Sequence, residues 1–171
     1  MYLFSKIRDI YTDDFHFYYT PIDCRNLKDF CRFLSSTLFL LLMTINNRKI
    51  IYYSSEAVTK EKSIYSWFKS LHELILRPQD LILRIPRVYS KDRNKGLIKS
   101  LRDGNFIGNK NQLIEYITDK DFREFFIKNV YTHGIVHYDG EYHLSTIFDI
   151  EQRFINKEKK ELKDEFQRVD Q

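Results

Sequence analysis

Turn-making residues are scarce in this chain. Five glycines and three prolines punctuate 171 residues, against 14 phenylalanines and 12 tyrosines. A chain with so few stops and so many large apolar side chains favours long elements joined by few loops, which points to helices before a many-stranded sandwich. Hydrophobic residues make up 43% and charged residues 30%, a globular balance with enough apolar material for one core.

Apolar spacing places the helices. Asp23 or Asn26 can cap a helix running to about Thr44, with Leu27, Phe30, Cys31, Leu34, Leu38, Leu41, Leu42 and Ile45 recurring at threes and fours. Phe33, Phe39 and Leu40 make that helix apolar nearly all round, as suits the middle of a bundle. Ile64, Trp67, Phe68, Leu71, Leu74 and Ile75 form a stripe on a second helix over Ser63 to Arg77. Residues 79–84 can continue helically until Pro86 stops them. A short helix is expected at Leu97 to Leu101, and another opens at Asn109 or Asn111 and runs through Ile117. Asp119 then caps a helix to about Thr132, and an amphipathic helix starts near Ser145. Phe15 to Tyr19 alternates weakly like a strand, and Lys49 to Tyr53 reads as a short strand or a first helical turn. Asp139-Gly140 is a two-residue hairpin signal between Ile135–Tyr138 and Glu141–Leu144. The expected fold is all-α: one helical domain over residues 1–171, a bundle of five or six helices with one small β-hairpin.

Charge is uneven. The net charge is +4, but eight basic residues lie between Arg84 and Lys110 (Arg84, Arg87, Lys91, Arg93, Lys95, Lys99, Arg102, Lys110) against Asp92 and Asp103 alone. That segment suits an anionic partner such as RNA, DNA or an acidic protein, or else it is a solvated loop. The longest apolar run, Leu34 to Ile45, falls short of the roughly 20 residues that a bilayer requires, and charge follows Met1-Tyr2-Leu3-Phe4 at once. Cys24 and Cys31 cannot bridge along one helix. A reducing, cytoplasmic setting without membrane contact is expected. His133, His137 and His143 fall within eleven residues, but Gly134 and the Asp139-Gly140 turn break any helical ligand spacing, so neither metal nor cofactor is expected.

The segment with the most chemistry ends the helix that Asp119 opens: Lys128-Asn129, three spacers, then His133-Gly134. A histidine near a helix carbonyl end, with an ammonium and an amide one turn back, could move the protons that RNA cleavage requires without a metal. This segment resembles the signature of the HEPN family, helical domains of toxins and phage-defence systems that cut or bind RNA. The resemblance implies Lys128 in the arginine position, Asn129 in the polar position, His133 as the catalytic histidine, and a homodimer with two motifs facing each other. Lysine departs from the family's arginine and cannot fork two hydrogen bonds to a phosphate. The alternative is a non-catalytic helical interaction protein, an inhibitor, immunity protein or phage-encoded binder with aromatic anchors. In that case His133 merely closes the helix, with Gly134 as its left-handed cap.

Overall fold

A computed structural model describes residues 15–18, 27–45, 49–89 and 96–156; the side chains of 15–18, 27–29, 96 and 156 lie outside that description. The elements are β1 (Phe15–Tyr18), α1 (Leu27–Ile45), β2 (Lys49–Ser55), α2 (Ala57–Lys60), α3 (Ile64–Ile75), β3 (Leu81–Ile85), β4 (Val88–Tyr89), α4 (Gly96–Arg102), β5 (Leu113–Thr118), α5 (Asp119–Asn129), β6 (Gly134–His137), β7 (His143–Thr146) and α6 (Ile147–Glu151), which runs into a π-helical turn at Gln152–Asn156. They form two compact units. The first holds the described residues up to Pro86 together with Phe122–Gly140; the second holds Arg87–Asp121 and the described residues from Glu141 onward.

The first unit is built on a parallel sheet in the order β1-β2-β3-β6. Phe17 lies opposite Ile51, Tyr53 opposite Leu83, and Leu83 opposite Val136. Successive side chains of a strand point to opposite faces, and β2 uses both. Ile50 and Tyr52 pack with Leu40 of α1 and Ile82 of β3, flanked by Met43, Ile75 and Leu76. Tyr53, on the other face, meets Phe122 and Phe126 of α5 at ring separations of 5.9 and 6.4 Å. With helices on both faces, residues Ile50 to Ser54 are all buried. This is why Lys49-Ile50-Ile51-Tyr52-Tyr53 shows no alternation: a strand covered on both sides reads as a continuous apolar run.

Asp80 ties the starts of three strands together. Its carboxylate accepts from the Ile50 amide at 2.9 Å, from the Arg77 amide at 2.9 Å, and from the Arg77 guanidinium at 3.0 and 2.8 Å. Its carbonyl accepts from the Gly134 amide at 2.8 Å, where β6 begins. Gly134 has φ +76°, a left-handed conformation that favours glycine.

The all-α expectation is overturned by these strands. The helices at α1, α3, α4 and α5 stand close to where the apolar spacing puts them. Residues 81–85, however, are strand β3 and not a helical continuation, because Leu81, Ile82 and Leu83 are buried between β2 and β6. Residues 113–118 are strand β5; Leu113 and Glu115 are exposed where Ile114 and Tyr116 are buried, a two-residue period. The expected hairpin is absent among the described residues: β6 pairs with β3, and β7 pairs antiparallel with β5.

In the second unit β5 lies between β4 and β7. Its core joins Tyr89, Ile98, Leu101, Ile114, Tyr116 and Ile147 with Ile150 and Ile155. Among the described residues no helix is long and apolar enough to cross a membrane.

Candidate active site

Helix α3 buries a polar face. Its Ser63 cap accepts from the Ser66 amide at 3.1 Å while the Ser66 hydroxyl accepts from the Ser63 amide at 3.0 Å, a reciprocal lock on the first turn. From that start Ser66, Phe68, Lys69, His72 and Glu73 turn inward. Trp67 and Leu74, members of the apolar stripe, turn outward. Tyr65, Lys69 and Glu73 are spaced by four, so they line up along one side of the helix.

Lys69 is 3% exposed. Its Nζ donates to the Tyr53 carbonyl at 2.9 Å and stands 4.9 Å from the Tyr52 ring centroid and 5.9 Å from that of Tyr65. Burial lowers the amine to about 7, with the Glu73 charge resisting the fall. Near neutral pH this lysine therefore exchanges between ammonium and amine, where an ordinary lysine stays charged.

Glu73, one turn on, receives the Ser54 hydroxyl and a two-pronged grip from Arg84, Nε at 3.1 Å and Nη2 at 2.6 Å. Arg84 Nη1 lies 3.4 Å from His137 Nε2 on β6. A chain of polar contacts thus runs from the end of β2 across β3 to the edge of the sheet. Ser55, the last residue of β2, is half-buried and accepts from the Ala57 amide at 3.2 Å.

His72 is fully buried between Thr37 Oγ1 at 2.8 Å and the Tyr52 hydroxyl at 3.2 Å, and its ring stacks on Phe33 at 5.0 Å. Burial, joined by the Lys69 charge, lowers its pKa to about 4. An unfolded histidine keeps a value near 6.5, so between these two values the unfolded chain binds a proton that the folded chain refuses. Stability is expected to fall as the pH drops from 6.5 to 4, and the stability gap between wild type and His72→Gln should narrow by about 2–3 kcal/mol across that window. Urea titrations of both proteins at intervals of pH check this, and parallel curves would contradict it.

The residues singled out from sequence are spread over several settings. Lys128 and Asn129 end α5, and His133 sits exposed in the loop before β6. Lys128 pairs with Asp139, and the buried Asn129 side chain donates back to the Phe125 carbonyl at 2.8 Å. Arg84 belongs to the first unit, and Arg87, Lys99, Arg102 and Lys110 belong to the second. Lys99 pairs with Asp103, and Lys110 with Glu151 at 2.6 Å; Lys91, Arg93 and Lys95 lie outside the described residues. His143 contacts Asp121 at 3.0 Å. No group of three or more metal-ligating side chains gathers among the described residues.

No protein-family model and no curated protein sequence matches the chain. Solved structures do. A dTDP-4-dehydrorhamnose reductase from Bacillus anthracis in complex with NADP is 14% identical, with a TM-score of 0.59 over 91% of this chain and 67% of that one. A hypothetical dTDP-4-dehydrorhamnose reductase from Sulfolobus tokodaii is 18% identical, with a TM-score of 0.55 over 90% of this chain and 66% of that one. The enzyme WbmG from Bordetella bronchiseptica in complex with NAD is 11% identical, with a TM-score of 0.58 over 90% of this chain and 59% of that one. The chain thus spans about two thirds or less of these proteins' lengths. The likeness is one of fold, a parallel α/β architecture. It overturns the HEPN resemblance and, with it, the ribonuclease, toxin and phage-defence reading. The non-catalytic helical binder falls as well, since both readings required a helical bundle.

Two of these neighbours hold a nicotinamide dinucleotide. Sheets that bind one use a G-x-G-x-x-G turn after a strand, where only glycine lets the backbone approach the pyrophosphate, at a point where the strand order reverses. This sequence has no glycine before Gly96 and no such spacing after it. Among the described residues, the parallel strands of the first unit follow chain order without reversal. The residues present do not fit the dinucleotide's pyrophosphate.

Proposed function

We propose that the first unit carries a binding site for the carbonyl oxygen of a sugar-like compound, with Tyr65 as the hydrogen-bond donor that holds and polarises it. The observation that carries this reading is the buried Lys69 side chain, with its Nζ 5.9 Å from the Tyr65 ring centroid. A phenol beside a buried amine group is placed to donate a hydrogen bond to a substrate carbonyl oxygen and to polarise that carbonyl, with no change in the substrate's oxidation state. Ser55 ends β2 immediately before the α2–α3 segment, where its hydroxyl can bond the same substrate oxygen. Ser54 and Arg84 hold the Glu73 carboxylate, whose charge acts on Lys69 one turn away.

The reductases among the fold neighbours act, by their names, on a keto sugar nucleotide, and this supports the choice of substrate class. A fluorescence titration of the chain with NADPH is expected to show no saturable binding.

Titration of the isotope-labelled chain with dTDP-4-dehydrorhamnose tests the reading. The Tyr65 ring and Lys69 side-chain resonances should move together, and Tyr65→Phe should remove the Lys69 response. Saturable binding that leaves both residues unmoved, or no binding at all, would overturn it.

A further inference from the structure

A chain of hydrogen bonds through Tyr52, His72 and Thr37 has its direction fixed by one hydroxyl. Thr37 has a single hydroxyl proton, and it goes to the Phe33 carbonyl at 2.8 Å. Thr37 Oγ1 therefore accepts from His72 Nε2, 2.8 Å away, so that nitrogen carries a proton. With its pKa lowered to about 4, His72 is neutral near pH 7, and a neutral imidazole has one N–H. Nδ1 is then bare and accepts from the Tyr52 hydroxyl at 3.2 Å. All three protons point the same way, from Tyr52 through His72 and Thr37 to the main chain of α1.

Tyr52 is also a ring that Lys69 faces, with Nζ 4.9 Å from its centroid. A cation is drawn to the negative face of an aromatic ring, and more strongly where water is excluded, as it is around the buried Lys69. Hydrogen bonds in a chain polarise one another, so a phenol that donates to an imidazole gains electron density in its ring. We infer that Tyr52 and His72 are positioning residues for Lys69, holding its protonated form over a ring that the Tyr52–His72 hydrogen bond makes electron-rich. Among the groups facing Lys69, Tyr65, His72 and Glu73 stand on its own helix, and Tyr52 and Tyr53 on β2. Burial works against the Lys69 proton, and the Glu73 charge opposes that loss from one side. The Tyr52 face opposes it from the other. The inference deepens the reading of Lys69 as part of the carbonyl site and rests on it.

Titration of the Lys69 ε-methylene resonance in the full chain tests it, with Tyr52→Phe, His72→Leu and His72→Gln as the variants. Phenylalanine keeps the ring and leucine fills the space, but each removes the hydrogen bond. The Lys69 midpoint is expected to fall by about half a pH unit in both, a roughly threefold weaker hold on the proton. Glutamine can accept from Tyr52 through its oxygen and donate to Thr37 through its nitrogen, so His72→Gln should keep the wild-type midpoint. Tyr52→Phe, the milder change, decides the matter if leucine unfolds the chain. Long-range proton–nitrogen spectra of wild-type His72 at pH 7 should place the proton on Nε2. An unmoved midpoint in Tyr52→Phe, an equal fall in His72→Gln, or a proton on Nδ1 would overturn the inference and leave the carbonyl site standing. A wild-type midpoint above pH 10 would instead remove the site, and this inference with it.

Discussion

Asp80→Ala is expected to lose about 3–5 kcal/mol of folding stability, a large share of the roughly 5–15 kcal/mol that holds a domain together. Asp80 is fully buried, and its two oxygens receive four hydrogen bonds, two from backbone amides and two from Arg77. Burial pushes its carboxyl up. The Arg77 side-chain hydrogen bond and the amides of Ile50 and Arg77 outweigh that, so the group stays below the ordinary carboxylate range. Alanine would strand a guanidinium and two amides at the point where β2, β3 and β6 begin. An asparagine side chain would keep one acceptor, so Asp80→Asn should cost clearly less. Urea titration reads the effect as a lower midpoint at an unchanged slope. A loss under about 1 kcal/mol for Asp80→Ala would show that the knot is dispensable.

Lys69→Met is expected to stabilise the protein at pH 6 while abolishing the proposed chemistry. An unfolded lysine titrates near 10.4 and the folded one near 7. Below pH 7 both forms are protonated, and the folded state bears the whole cost of a buried ammonium. Between 7 and 10.4 the unfolded chain holds a proton that the folded chain has released, so stability rises with pH across that window. At 1.36 kcal/mol per unit the total is on the order of 3–5 kcal/mol. Methionine keeps the aliphatic stem and carries no charge. The stability difference between variant and wild type should therefore shrink steadily from pH 7 towards 10. A difference that stays flat with pH would remove the depressed lysine from the account.

The helices were legible because each presents apolar residues at threes and fours, and because a cap such as Ser63 is local; Gly134, expected to cap the helix before it, instead opens β6 five residues after α5 ends. The sheet was not, because a strand buried on both faces carries no alternation. Leu81-Ile82-Leu83 reads equally well as helix, and only its neighbours β2 and β6, distant in sequence, decide the matter. The site was hidden for a related reason. Trp67 and Leu74 of the α3 apolar stripe face solvent while Lys69, His72 and Glu73 face inward. The legible signal was the second periodicity on that helix: Tyr65, Lys69 and Glu73 at intervals of four, following the Ser54-Ser55 end of an apolar run. Lys128, Asn129 and His133 drew attention by a short spacing pattern, which says nothing about what each side chain meets in space. Lys128 meets Asp139, and Asn129 meets its own helix.

The claim on which the site depends is that a buried amine at position 69 exchanges its proton near neutrality. Nuclear magnetic resonance titration of the Lys69 ε-methylene group, assigned with the aid of Lys69→Met, measures this directly. A midpoint near pH 7, displaced in Tyr65→Phe, is the predicted result; a midpoint above pH 10, the ordinary value of a lysine in water, would contradict it.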